Sequence, residues 1–541
     1  MRVGKPIRFL AILAGCLLYA IPRWLHEEFG RVSIDQVLYH LRFGSEGVLS
    51  SDPEIIHRFL WSGLALPLGL ALLLWGLDAW VRYLRAHPEA WPRPWLRLAW
   101  QRLLAMLRHA AHHTLPRIVP LVVLGAGVAF FVDSFSVARY VRGHFGEDYF
   151  ADAYVDPARI TFERGRKPPK SLVLIYVESL ENTYSDPALF GRDLLQRLNA
   201  LKALPGVVSF DSYRELMGAH FTIASLVSTQ CGVPLKSVAM FSGNDVGEKV
   251  ERYLPRASCL GDILAARGYR NVFLNGSSLA FAGVGKFFSD HRYDRVMGRE
   301  EWIAAGEPPG GMSGWGLRDD ALFRRARGEL DQLMKSRKPF NLTVLTIDTH
   351  HPYGHLSPEC ARRGHQDFEG IVECTADLVA EFVEYIIARG WLNRVAIVVQ
   401  GDHLAMGNTS YGKLVTNPER RVFNLLINDN PKLQANTREV THFDMLPTML
   451  DLIGLQVKGG RAGLGYSAIG PVRAQRPPDH VDRMAEKLLD YSATYRALWE
   501  PLPEPLPEPP ADEPAPRPVT PAVPMTPPPP GSAPEATPLV R

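Results

Sequence analysis

Cysteine is scarce in this chain, with five in 541 residues. There is no Cys-x-x-Cys pair and no Cys/His spacing of the zinc-finger kind, which argues against a structural zinc. Bulk charge is also missing. A net charge of +3 gives nucleic-acid binding no electrostatic support. No internal repeat is visible. Acids are nearly absent between residues 82 and 117, and apolar runs are absent from the last stretch. From Pro501 onward Pro, Ala and Glu dominate, which predicts a disordered, partly polyproline-II tail.

What the chain does have is concentrated at its start. Phe9 to Ile21 is apolar and follows Arg2, Lys5 and Arg8, a pattern shared with signal peptides. Two longer apolar runs follow, Phe59 to Val81 and Ile118 to Val137, so the first reads as a retained helix. The segment between the second and third runs carries Arg82, Arg85, Arg93, Arg97, Arg102, Arg108 and Arg117 against Glu89 alone. The positive-inside rule then puts the N-terminus and this segment in the cytoplasm, and everything after about residue 140 outside it. Trp95 to His113 has near-helical amphipathic spacing, expected either on the inner leaflet or against the spans.

Cys231, Cys259, Cys360 and Cys374 all fall in the exported part, where an even count predicts disulfides. Three connectivities are possible, and loop closure favours Cys231–Cys259 with Cys360–Cys374. Residues 141–170 form a linker, and after it strand-like and helix-like stretches alternate. Expected strands are Leu172–Val177, Val207–Phe210, Val272–Leu274, Leu342–Ile347 and Val395–Val399. Expected helices are Leu189–Leu201, Cys259–Arg267, Ala321–Ser336, Thr375–Arg389 and Phe443–Leu452. This alternation predicts an α/β fold with a mainly parallel sheet. The expected organisation is an anchor of about three spans over 1–140, a catalytic domain over 171–475, an amphipathic helix within 476–500 (Val481 to Leu498) and the tail over 501–541.

Three strand-like runs end in chemistry-bearing residues: Glu178 after the first, Asp348-Thr-His350-His351 after the second, and Gly401-Asp402-His403 after the third. Ligands bind at such carboxyl ends of α/β sheets. Glu178 is fixed by its strand, whereas Glu181 belongs to the loop beyond. Gly401 is expected to allow a tight turn that lets Asp402 and His403 share one metal. Thr222 stands at the start of a helix-like stretch, where backbone amides favour a phosphate. It is the candidate nucleophile, with Ser225, Ser228 and Thr229 as competitors and an N-cap as its ordinary role. His350, favoured over His351, would protonate a leaving oxygen or bind the transferred group. The layout is that of metal-dependent phosphoryl transfer.

These residues carry a resemblance. Tyr176-Val-Glu-Ser-Leu-Glu181, Thr222, Asp348-Thr-His-His-Pro352, Gly401-Asp-His403 and Phe443-Asp-Met-Leu-Pro-Thr-Met-Leu-Asp-Leu-Ile-Gly454 resemble the sulfatase-like branch of the alkaline-phosphatase superfamily. The likeness is strongest to its membrane-anchored phosphoglycerol transferases, in particular those acting on periplasmic glucans. Thr229-Gln-Cys-Gly-Val-Pro234, Leu279-Ala-Phe-Ala-Gly283 and Gly401-Asp-His-Leu-Ala-Met406 carry that closer likeness, and Gln36-Val-Leu-Tyr-His-Leu41 is also similar. The resemblance implies a sulfatase-like α/β sandwich in the periplasm, anchored in the bacterial inner membrane. It implies Mn2+ or Mg2+ held by Glu178, Thr222, Asp402 and His403, with His350 binding substrate. The implied reaction moves phosphoglycerol from phosphatidylglycerol to a periplasmic glucan through a covalent intermediate on Thr222. Asn275-Gly-Ser-Ser-Leu-Ala-Phe-Ala stands where lipoteichoic acid synthases have a His, Asp, Trp and Arg cluster, which argues against polymerisation. Cys231-Gly-Val-Pro-Leu-Lys departs from the sulfatase Cys-x-Pro-x-Arg signature, which argues against formylglycine chemistry. Competing expectations are phosphoethanolamine transfer, lipid-headgroup hydrolysis, or a silent membrane sensor.

Overall fold

Alternate residues of the first strand enter two different cores. Leu172, Leu174 and Tyr176 join one, and Val173, Ile175 and Val177 join the other. A strand covered on both faces must be apolar throughout, which is why this run shows no polar alternation. The computed structural model describes residues 5–30, 32, 34, 37–38, 53–87, 115–143, 145–165, 167–236 and 252–501.

The central sheet has seven strands: β1 (Ser171–Val177), β2 (Val207–Val208), β3 (Arg270–Asn275), β4 (Arg295–Met297), β5 (Phe340–Leu345), β6 (Val395–Gly401) and β7 (Asn424–Ile427). Their order is β2–β7–β6–β1–β5–β3–β4. β6, β1, β5, β3 and β4 pair with one another in parallel, β7 runs antiparallel to β6 and β2 antiparallel to β7, so six of the seven point the same way. The mainly parallel α/β fold is therefore as expected. β4 and β7 were not anticipated, because runs of three and four residues give no period to detect. The register pairs Val177 with Gly401, so Glu178 and Asp402 follow side by side at one edge.

The expected helix Leu189–Leu201 is two helices, Pro187–Phe190 and Gln196–Leu201, separated at left-handed Gly191. Val481–Leu498 is likewise split into His480–Lys487 and Ala493–Ala497. Here the Lys236 ammonium takes the carbonyls of Leu488 and Asp490, which a continuous helix would need for its own amides. Both proposed disulfides are formed, Cys231–Cys259 and Cys360–Cys374. The linker is packed against the domain: Val155 bridges to Gly463, Phe162 to Val457, and Phe150 lies 5.4 Å from the Tyr495 ring.

In the N-terminal region, α1 (Lys5–Phe29) recruits flanking residues and exceeds the apolar run that marks it. α2 (Pro53–Arg58) continues through a π-helical turn at Phe59–Ala65 into α3 (Leu66–Ala86). α4 (Leu115–Ser134) and α5 (Val137–Gly143) meet at a 58° bend. Among the described residues, two helices are long and apolar enough to cross a membrane, or three if the bent pair is one span. α1 and α4 cross backbone to backbone. A Cβ on Gly15 would lie 2.4 Å from the Val123 oxygen, and one on Gly127 2.3 Å from the Gly15 oxygen. Small residues permit such close crossings where lipid supplies no hydrophobic drive. The amphipathic stretch Trp95–His113, most of Gln36–Leu41 and the Pro-rich tail lie outside the described residues.

Candidate active site

Glu178 emerges from β1 just before Ser179 turns the chain in the left-handed region, at φ 56°. Its backbone is tied on both sides: its N–H donates to the Thr346 hydroxyl at 2.9 Å, and its carbonyl accepts from the Thr349 hydroxyl at 2.6 Å. The Ser179 hydroxyl donates to the Glu178 carboxylate at 2.6 Å, and the Ser179 N–H to Asp402 Oδ1 at 2.8 Å. The loop after β1 is thus built to present two carboxylates together.

Gly401 has a different role from the one expected. It lies within β6, and a Cβ there would stand 2.0 Å from the Leu180 oxygen. The glycine permits close approach of the β1 loop rather than a turn.

His403 donates its Nδ1–H to the Leu404 carbonyl at 2.9 Å. That leaves Nε2 facing Thr222 Oγ1 at 3.4 Å, Asp402 Oδ2 at 3.4 Å and Glu178 Oε1 at 3.6 Å. This tautomer suits a metal-ligating histidine, whose other nitrogen is held by a hydrogen bond. Ligand atoms of Glu178, Asp402 and His403 all lie within 4.8 Å of one another, and all three residues are buried. Asp402 Oδ2 is buried with no hydrogen-bond partner among the described residues. Burial, and then Asp402, raises the Glu178 carboxyl above its ordinary range. Burial alone would lower His403, but Asp402, Glu178 and Glu215 outweigh it and push it up to about 9. Three acids gathered around one imidazole call for a cation, and an orphaned carboxylate oxygen gives it a ligand. The donor set therefore fits a divalent metal.

Thr222 begins helix α6 (Thr222–Cys231). The N-cap is Phe221 and no side chain caps the helix, so Thr222 is not spent on capping. Its rivals are occupied or enclosed. Ser228 donates to the Gly218 carbonyl, Thr229 to the Ser225 carbonyl, and Ser225 is fully buried. Thr222 alone among these four is hydrogen-bonded to His403.

Glu181 belongs to a separate structure. It is wholly buried, paired with Arg420, and accepts the Ala405 N–H at 3.1 Å. His350 is near the cluster but forms no hydrogen bond to it among the described residues. Its Nδ1–H donates to the His351 carbonyl at 2.8 Å, and its ring stacks on His351 at 4.4 Å and lies tilted against Trp315 at 4.1 Å. Burial first, then His351 and His355, holds it well below the usual histidine value, so it is neutral. His351 is pushed down to about 3 by burial, with His403 and Arg58 adding to the effect.

Sequence reasoning missed several contributors. Glu215 is half-buried, accepts the Leu404 N–H at 2.6 Å, and is raised to about 7, chiefly by desolvation. His442 donates Nε2–H to the Asp402 carbonyl at 2.6 Å. Trp315 carries His350. Glu215 and His442 each follow a strand of three residues, Ser212–Arg214 and Glu439–Thr441, too short to show a period, so no local pattern marks them.

A family model described as Sulfatase matches residues 170–455. Phosphoglycerol transferase I of Escherichia coli O81 (strain ED1a) is 32% identical over 442 residues, covering 80% of this chain and 53% of that protein. The same-named protein of Shigella boydii serotype 18 (strain CDC 3083-94 / BS512) gives the same values. The chain therefore spans about half the length of the curated relatives it matches. A solved structure of an alkaline phosphatase superfamily protein from Vibrio parahaemolyticus aligns with a TM-score of 0.45 at 18% identity, over 67% of this chain and 95% of that one. With more than half of its 541 residues inside the matched region, and a site assembled from that region, the chain belongs to the sulfatase family.

Proposed function

We propose that this chain transfers phosphoglycerol from phosphatidylglycerol to a sugar hydroxyl of a periplasmic glucan, with Thr222 as nucleophile. The observation that carries the reading is Thr222 at the open N-terminus of α6, hydrogen-bonded to a histidine that also faces two buried carboxylates. The name of the 32%-identical relatives supports phosphoglycerol as the group moved. Glu178, Asp402, His403 and Thr222 would hold the cation, Mn2+ or Mg2+. When bound, it supplies positive charge for the phosphoryl oxygens and lowers the pKa of a neighbouring hydroxyl.

The rest follows from the chain's own groups. Thr222 Oγ1 bonds to phosphorus as the bond to the diacylglycerol oxygen breaks, and the threonine proton ends on diacylglycerol. A sugar hydroxyl then displaces Thr222, and its proton returns to Oγ1. Backbone amides at the start of α6 face the anionic group. Because His350 spends Nδ1–H on a carbonyl and is neutral, it presents an acceptor nitrogen. It therefore accepts a hydrogen bond from the glycerol headgroup or from the entering hydroxyl, and does not stand ready as an acid. The anchor holds the site within reach of a lipid donor, with the catalytic part on the periplasmic side.

The test uses the full chain in detergent with Mn2+, headgroup-labelled phosphatidylglycerol and the β-glucoside arbutin. Label on the sugar with matching diacylglycerol release is the expected result. Diacylglycerol release without sugar labelling would indicate hydrolysis or another acceptor. With no release, phosphoethanolamine transfer becomes the leading reading.

A further inference from the structure

The turn that follows β5 is tied to the carboxylate cluster and to itself. The Thr349 hydroxyl donates to the Glu178 carbonyl at 2.6 Å, which fastens the turn to the loop that presents Glu178. The His355 N–H donates to the Asp348 carbonyl at 2.7 Å and the Gly354 N–H to the His350 carbonyl at 3.0 Å. The Thr409 N–H donates to the Pro352 carbonyl at 3.2 Å, and the His351 carbonyl takes the His350 Nδ1–H. The backbone acceptors along this turn are therefore spent on the protein's own donors.

The His351 side chain is the exception. It is 5% exposed, and neither ring nitrogen has a hydrogen-bond partner among the described residues. Its ring stacks on His350 at 4.4 Å with the planes 23° apart, and Phe29 of α1 meets it nearly at right angles at 5.3 Å. These contacts hold the ring through its faces and edges and use neither nitrogen. Burial pushes the imidazole down to about 3, so it is neutral, with one N–H and one lone pair. Buried polar atoms in native proteins are rarely left unpaired, and an exception beside a reactive site calls for a ligand group. A phosphate is drawn to charged donors, which a neutral ring does not supply. A hydroxyl, which both donates and accepts, is the matching partner. His350 stacked alongside offers a further acceptor nitrogen, so the pair suits two neighbouring hydroxyls.

We propose that His351 is a specificity-determining residue that binds a hydroxyl of a vicinal diol next to His350, so that the site selects a polyol substrate. The assignment rests on the transferase reading above. Such a diol is present both in the glycerol headgroup of the donor and in the sugar ring of the acceptor.

The test compares wild type, His351→Phe and His351→Gln, each as the full chain in nanodiscs. Phenylalanine keeps the ring and removes both nitrogens, whereas glutamine keeps donor and acceptor groups. Each protein is given phosphatidylglycerol or phosphatidylmethanol, whose headgroup has no diol, with arbutin as acceptor. If the diol is the donor's, the preference in kcat/KM for phosphatidylglycerol over phosphatidylmethanol should fall about tenfold in His351→Phe. If it is the acceptor's, KM for arbutin should rise by a similar factor while the lipid preference holds. Glutamine should recover part of either loss. An equal loss on both lipids with arbutin KM unchanged, or no change at all, would overturn the assignment and leave the transferase reading intact. Thermal unfolding adds a reading independent of turnover. Nitrogens unpaired in the resting protein predict that His351→Phe melts at or above wild type. A lower melting temperature would mean that the protein's own groups already hold them, and would also overturn the assignment. Wild type that releases no diacylglycerol from either lipid would sink both readings.

Discussion

Two pairs of buried carboxylates lie at the carboxyl edge of the same sheet, and their charges are met in opposite ways. Asp319 and Asp348 sit beneath the turn that carries His350. Asp319 accepts the Ile347 N–H at 2.8 Å, the Asp348 N–H at 3.2 Å and the Thr375 hydroxyl at 2.9 Å, while Asp348 accepts the Asp319 N–H at 3.0 Å. Burial, and then the Asp319 charge, raises Asp348 well above the aspartate range, so a proton is held within this pair. Glu178 and Asp402 have an imidazole, a hydroxyl and an orphaned oxygen facing the same point. Asp348 Oδ1 also lacks a partner among the described residues, but in the first pair backbone donors take the other oxygens and no third ligand group converges, whereas the second pair converges with His403 on one point fit for a cation. Glu181, a third buried acid nearby, is completed by Arg420. Carboxylate identity alone does not make a site; convergence of several unsatisfied ligand atoms on one point does.

Four substitutions probe that contrast, from largest effect to smallest. Thr222→Ala is expected to cut transfer by about a thousandfold or more while leaving the fold intact, measured by diacylglycerol release and thermal unfolding. Residual activity near wild type would move the nucleophile elsewhere. Arg420→Ala strands Glu181 as a buried charge and should cost about 3–5 kcal/mol of stability, read from the melting transition. A loss below about 1 kcal/mol would show that Glu181 finds another partner. Asp402→Asn should abolish metal-induced stabilisation, which in wild type reaches about 2.7 kcal/mol at a hundredfold excess of metal over Kd. Chelator and titrated Mn2+ give that reading independently of turnover, and an unchanged response would remove Asp402 from the ligand set.

Asp348→Asn should have the smallest effect and the most specific signature. A carboxyl whose folded pKa is raised binds its proton more tightly folded than unfolded. Wild-type stability therefore falls as pH rises from the ordinary aspartate value, near 4, toward the raised folded value, at about 1.4 kcal/mol for each unit of difference. The amide removes that titration, so the variant's stability profile should be flatter above pH 4. An unaltered slope would mean that the buried proton is held elsewhere.

The strand-end residues were legible because a buried parallel strand is a continuous apolar run, and its first polar residue marks the edge of the sheet. Glu178 and Asp402-His403 stand at such breaks. Thr222 was legible only as one of four hydroxyls in a helix-like stretch. Glu215, His442 and Trp315 were not legible, since each reaches the site from a segment whose own pattern is unremarkable. The split of Val481–Leu498 was hidden for a related reason: Lys236, more than 250 residues away, takes the carbonyls that would have continued the helix.

By itself the sequence determined the apolar helices, the α/β alternation, the strand-end acids and a disulfide pairing that short loops favour, because each depends on local periodicity or local separation. Tertiary structure decided which acids remain unsatisfied. The pairing of Val177 with Gly401 sets Glu178 beside Asp402, and the passage of α6 beneath them brings Thr222 to His403. Whether a carboxylate meets a backbone amide, an arginine or an open lone pair depends on groups distant along the chain, and only folding brings those together.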